Sequence, residues 1–222
     1  PGWATFTAST GVLAGTPLNA DVGDNSVVIT ASDGNGGSVT DSFTIAVANT
    51  NDAPTITSTA VTAVNEDAAY SYTVTTNDVD SGDTVTLTGT TVPSWATFTA
   101  STGVLAGTPD NDDVGDHSVV ITASDGTASV TDSFTIAVAN TNDAPTITST
   151  AVTSATEDAA YTYTVTAADV DSGDTVTLTG TTVPGWATFT ASTGVLAGTP
   201  LNADVGDNSV VITASDGNGG SV

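Results

Sequence analysis

The sequence predicts an all-β protein, a tandem array of β-sandwich domains. Three observations carry that prediction. The first is repetition. Pro1 to Val39 recurs letter for letter from Pro184 to Val222, and a diverged copy starts at Pro93. A fixed period of about 91 residues is the signature of a repeat architecture. The second is period-two alternation of β-branched and aromatic residues, the pattern of half-buried strands. The third is the regular spacing of turn signals between the alternating runs.

The punctuation of the array is NTNDAP, at Asn49 to Pro54 and again at Asn140 to Pro145. Proline cannot donate a ladder hydrogen bond, so Pro54 and Pro145 suit a linker or the first residue of a strand. Boundaries placed there give three segments. Residues 1–51 are the C-terminal part of one domain. Residues 52–142 are a complete domain, and residues 143–222 are a third lacking its last strand.

Within 52–142 the strands follow in order. Tyr70, Tyr72 and Val74 alternate with Ser71 and Thr73, and Val85 and Leu87 alternate with Thr84, Thr86 and Thr88. Val119, Ile121 and Ala123 alternate with Val120 and Thr122, and Phe134, Ile136 and Val138 with Thr135 and Ala137. DSGD at 80–83, STG at 101–103, DVGD at 113–116 and SDG at 124–126 separate them as turns. No stretch has a helical period. Roughly seven short strands in a segment of this length fit a two-sheet sandwich. Trp95, Phe98 and Leu105 are expected in its core. The repeats differ at GNGGSV (34–39) against GTASV (126–130), a hairpin turn whose variation reads as neutral.

The charge is one-sided. The chain has 25 acidic residues, no lysine, no arginine and a formal charge of −25. No side chain is available to neutralise a carboxylate in an ion pair. Nucleic acid is excluded as a partner, because phosphate binding needs Lys and Arg. Anionic membrane surfaces are excluded for the same reason. Hard divalent cations are the natural counter-charge for carboxylates. Such a charge also marks disordered chains, but 38% hydrophobic residues in alternating patterns mark this one as folding. Without cysteine there is no disulfide framework or thiol chemistry.

Set against the strand order, the acids fall at two poles. Asp78, Asp80 and Asp83 lie in the loop after the second strand, and Asp125 in the loop after the sixth. Asn51 and Asp52 enter beside them from the linker. Glu66, Asp67, Asp112 and Asp113 precede strands and fall at the other pole, beside Asn140, Asn142 and Asp143. Each junction should therefore gather carboxylates from two successive domains and their linker. That clustering is repulsive alone and supplies oxygen ligands to a cation. Asp110, Asp116 and Asp132 read as surface residues.

No catalytic constellation is present. His117 is the only histidine, and Asn25 and Asn208 stand in its place in the other copies, so it reads as a turn residue. No base is available to activate a serine. The chain is expected not to be an enzyme.

The run EDAAYSYTV, NDVDSGDTVTL, PSWATFTASTGVLAGTP, DDVGDHSVVITASDG, FTIAVANTNDAP resembles the cadherin-like, dystroglycan-type repeats of large bacterial surface adhesins, also described as immunoglobulin-like. The resemblance covers the whole chain. It implies immunoglobulin/cadherin-like sandwiches in an extended extracellular array on a cell surface, with calcium (Ca2+) at the junctions. By resemblance the first junction uses Asp21, Asn51 and Asp52 with Asp78, Asp80 and Asp125. The second uses Glu66, Asp113, Asn142 and Asp143 with Asp169, Asp171 and Asp216. The linker departs from the family's DxNDNAP, with Asn49 or Asn140 for an acid and Ala53 or Ala144 for the second Asn. One or two ions per junction are therefore expected.

The function expected is a calcium-rigidified extender of a long adhesin or surface fibre. Its partners are calcium and the neighbouring repeats of the same chain. The alternatives are a repeated glycan- or protein-binding module and a filament of like chains that pair through strand edges.

Overall fold

The computed structural model describes residues 1–222 and is almost entirely strand. Residues 1–51 hold β1 (Ala4–Thr7), β2 (Val12–Gly15), β3 (Gly23–Ser32) and β4 (Ser38–Val47). Residues 52–142 hold β5 (Thr55–Ile56), β6 (Ala63–Asn65), β7 (Tyr70–Thr73), β8 (Thr76–Asn77), β9 (Thr86–Thr91), β10 (Ala96–Thr99), β11 (Val104–Gly107), β12 (Gly115–Ser124) and β13 (Ser129–Ala139). Residues 143–222 hold β14 (Thr146–Ile147), β15 (Tyr161–Thr164), β16 (Ala167–Ala168), β17 (Thr177–Thr182), β18 (Ala187–Thr190), β19 (Val195–Gly198) and β20 (Val211–Ser215). One-turn 3-10 helices at Asn19–Asp21, Asn111–Asp113 and Asn202–Asp204 are the only helical residues.

The middle segment has more strand pieces than its alternation predicts, because its first two strands are broken. β5 pairs antiparallel with β8, whereas β6 pairs in parallel with the end of β13. The chain thus begins on one sheet and crosses to the other.

Two compact units emerge. The first comprises Pro1–Thr62, Tyr70–Gly107 and His117–Ile136. Within it, a sheet ordered β10-β11-β7 faces the β13-β12-β9 ladder. Their inward residues make a core of Tyr70, Tyr72, Val74, Leu105, Val119, Ile121, Ala123 and Ile136, all buried. Tyr72 meets Phe134 edge-on, with ring centroids 5.5 Å apart. Gly89 is required there, since a Cβ would sit 2.9 Å from Val92 Cγ2 and 3.0 Å from Phe98 Cδ1. Trp95 is only half-buried, edge-on to both Tyr70 and His117. His117 lies in β12 rather than in a turn. Its counterparts Asn25 and Asn208 accept the indole N–H of Trp3 and Trp186, each at 3.1 Å. The position therefore buttresses the tryptophan. Asp132 is not a plain surface acid either, since it accepts the Tyr72 hydroxyl at 3.2 Å.

The second unit comprises Ala63–Ala69, Thr108–Asp116 and Ala137–Val222. It contains the parallel β6 pairing and the sheet β15-β19-β18, with β17-β20 as a separate ladder. Between them lies a cleft of about 940 Å³ lined by Ile147, Tyr161, Tyr163, Val165, Leu196 and Ile212 among others. No helix of the chain is long and apolar enough to cross a membrane.

Candidate metal centres

In the first unit, the turn after β8 folds back on itself, with the Asp80 N–H on Asp78 Oδ1 at 2.9 Å. One oxygen from each of Asp78, Asp80 and Asp83 lies within 4.8 Å of the others. Asp80 is buried. Its Oδ2 accepts the backbone N–H of Asp52 at 2.6 Å, which brings the linker to the turn. Asn19 donates its amide to Asp52 at 2.7 Å and to Asp80 at 3.2 Å. Asn51 donates to Asp125 at 3.1 Å. Asp78 Oδ2 is buried with no partner.

The second unit repeats this arrangement and extends it. Glu66 is 1% exposed. Its Oε1 accepts the backbone N–H of Thr141 and its own N–H bonds Ala139, so the β6–β13 pairing aims the side chain at the linker. Asp67, directly after it, adopts φ 59°, a left-handed turn that Asp tolerates better than most residues. The Asp143 N–H reaches Asp171 Oδ2 at 2.7 Å, and Asn142 donates to Asp216 at 2.9 Å. Glu66, Asp143 and Asp171 form one group of converging oxygens, and Asp169, Asp174 and Asp216 a second. Glu66 Oε2, Asp171 Oδ1 and Asp169 Oδ2 are buried with no hydrogen-bond partner.

Two residues expected at the junctions are oriented differently. Asp21 and Asp113 end their 3-10 turns, where each Oδ2 accepts a backbone N–H, from Leu18 at 2.9 Å and from Asp110 at 3.1 Å. Neither belongs to a converging group. The same short helix instead offers Asn111, whose amide N–H reaches Asp143 at 2.7 Å while its Oδ1 is buried without a partner. The signal was present in the sequence, since Asn19, Asn111 and Asn202 all precede the DVGD turn. Asp83 and Asp174, the last acids of their turns, also join the groups.

Hydrogen bonds favour the ionised form of two of these acids, Asp216 and Asp125. Asn142 keeps Asp216 below the ordinary carboxylate range, aided by the N–H groups of Asn218, Gly219 and Gly220 and opposed by burial. The N–H groups of Ala128 and Thr127, with the Asn51 amide, do the same for Asp125. A buried, unpartnered carboxylate oxygen is costly unless a charge or donor meets it. With no basic side chain in the sequence, the donor set is oxygen-only. That chemistry fits a hard divalent cation such as calcium, which takes six to eight oxygens.

Within residues 52–142 no large aromatic side chain is exposed for ligand stacking. The chain belongs to the family described as Putative Ig domain, whose model matches residues 1–48, 53–139 and 144–222. No curated protein matches it. Among solved structures, the protocadherin gamma B7 extracellular cadherin domains 1–4 are 21% identical at TM-score 0.52, over 96% of this chain and 59% of that one. Mouse protocadherin-24 EC1-3 is 20% identical at TM-score 0.51, over 99% of this chain and 83% of that one. These likenesses show the fold, that of immunoglobulin- and cadherin-like sandwich repeats. An endo-fucoidan hydrolase of glycoside hydrolase family 107 is 28% identical over the whole chain. The chain spans 36% of that enzyme, and at a TM-score of 0.39 the likeness carries no argument about catalysis.

Proposed function

We propose that the chain is a structural extender within a long extracellular adhesin or surface fibre, in which calcium stiffens the junctions between successive repeats. The observation that carries this reading is Glu66, a 1%-exposed carboxylate with an unpartnered oxygen beside Asp143 and Asp171. The ligand set in the first junction is Asn51, Asp52, Asp78, Asp80 and Asp125, joined by Asn19 and Asp83. In the second it is Glu66, Asn142, Asp143, Asp169, Asp171 and Asp216, joined by Asn111 and Asp174. Asp21 and Asp113 support them by fixing the 3-10 turn that presents each Asn. Calcium would supply the positive charge the sequence lacks and restrict the hinge at each NTNDAP linker. Small-angle scattering of the chain, with calcium added and then chelated, tests this. A rise in maximum dimension on calcium, lost in an Asp169→Ala, Asp171→Ala variant, is expected. An unchanged profile would leave the acids as solvated turns and sink the reading.

A further inference from the structure

The hairpin turn that distinguishes one repeat from the next holds its neighbours differently in the two repeats. In residues 143–222 it reads GNGGS. Asp216 at its start accepts the N–H groups of Asn218 at 2.7 Å and of Gly219 and Gly220 at 3.1 Å on one oxygen. The Asn218 side chain then reaches out of the turn and donates to Asp174 Oδ1 at 2.9 Å. That bond places Asp174 within 4.8 Å of both Asp169 and Asp216.

Gly220 adds a second effect. A Cβ there would lie 2.2 Å from Asp216 Oδ2, 2.8 Å from Ala144 Cα and 2.9 Å from the Asp143 carbonyl oxygen. Only glycine lets the linker approach the aspartate this closely.

In residues 52–142 the turn is GTAS. Ala128 takes the place of Gly220, as the serine hydroxyls show: Ser215 donates to the Gly220 carbonyl and Ser124 to that of Ala128. Thr127 has no side-chain amide to donate. Asp83 accordingly groups with Asp78 and Asp80 instead, and Asp125 stays outside that group. Asp216 is buried, whereas Asp125 is half-buried. The adjacent Asp171, 5% exposed with an unpartnered oxygen, is the independent sign that a cation belongs at this end.

We propose that Asn218 and Gly220 are affinity-setting positions of the second metal centre, and that the alternation of GNGGS and GTAS turns makes successive junctions bind calcium unequally. The inference rests on the calcium reading above. Charge count and rigidity set the affinity of oxygen sites for calcium. The GNGGS turn raises both, by fixing a further carboxylate and by closing the linker over it. An array built this way would stiffen in two stages as calcium rises, alternate hinges first.

The test is calorimetric titration of the whole chain with calcium chloride. Asp171→Asn identifies which binding class belongs to the second junction. Asn218→Thr should weaken that class about tenfold, the lower end of the cost of losing a group that orients a ligand. The other class should not move, and the melting temperature in chelator should match the parent chain. In the reverse experiment, Gly126-Thr127-Ala128 is replaced by Gly-Asn-Gly-Gly, and the first junction should tighten. This keeps the question decidable if Asn218→Thr fails to fold. Calcium binding that ignores both changes would overturn the role of the turn and leave the extender reading standing. A parent chain that binds no calcium would overturn both.

Discussion

Asn111 lies within hydrogen-bond reach of Asp143, its amide N–H 2.7 Å from the carboxylate, while the carbonyl oxygen of the same amide is buried and unpartnered. One side chain thus steadies a linker acid with its donor end and presents an oxygen with its acceptor end. Asn19 steadies Asp52 in the same way at 2.7 Å. Asn111→Ala is expected to weaken calcium binding at the second junction, and Asn111→Asp to retain or strengthen it by adding charge. A calcium titration of both variants checks this.

The effect of Glu66 on stability should change sign with calcium. Its Oε2 is buried without a partner, so in chelator Glu66→Gln removes an uncompensated charge and should not destabilise. In about 1 mM calcium, a site with a dissociation constant near 10⁻⁴ M contributes roughly 1.4 kcal/mol, and Glu66→Gln should forfeit that gain. Melting curves with and without calcium read the crossover. A variant that melts below the parent under both conditions would make Glu66 a packing residue only.

The tryptophan buttress offers a repair. Trp95 Nε1 is buried with no acceptor, whereas Trp3 and Trp186 each find an Asn carbonyl. His117→Asn should supply that acceptor to Trp95. Satisfying a buried donor is worth about 1 kcal/mol, and the edge-on ring contact that is lost is worth a similar amount. Little change in melting temperature is expected, and a clear fall would show that the ring contact dominates.

Tyr70 gives a readable alkaline limit. Burial, with Tyr72 nearby, pushes its phenol up to about 12 from 10.0. Its hydroxyl donates to the Val61 carbonyl at 2.7 Å. The folded state therefore holds the proton more tightly than the unfolded chain does. The stability this confers is complete below pH 10 and is lost as pH rises toward 12. Near-ultraviolet absorbance should show tyrosines titrating above the ordinary value, since burial also raises Tyr72 and Tyr161, and Tyr70→Phe should remove the latest phase.

The core should be sensitive to truncation at Ile136, which is fully buried. Ile136→Ala should cost about 3 kcal/mol, because the cavity left behind cannot collapse fully. Chemical denaturation of the variant measures it.

Much of this was legible in the sequence, for a physical reason. Alternation such as Tyr70, Tyr72, Val74 reports directly which side chains face inward, so the all-β sandwich and its core could be read from period alone. The carboxylate convergence could be read from strand order. What escaped depended on geometry finer than order. Asp113 and Asn111 are two residues apart on one 3-10 turn, and residue order does not say which of them faces the linker. The crossing from β5 to β6 has no periodic signature, because each piece is too short. His117 reads as a turn residue because Asn25 and Asn208 replace it in the other copies, yet the strand has already begun at Gly115.

The parallel pairing of β6 with the end of β13 has a mechanical meaning. Ala63, Val64 and Asn65 face Ala137, Val138 and Ala139 in the same direction. Tension entering through the upstream linker drags β6 backward, and tension leaving through the downstream linker drags β13 forward. The rungs between them are loaded together in shear rather than opened one at a time, so once the short β5–β8 pairing has yielded the repeat resists further pulling here. Single-molecule stretching should register that resistance as a force peak, and Val64→Pro should lower it.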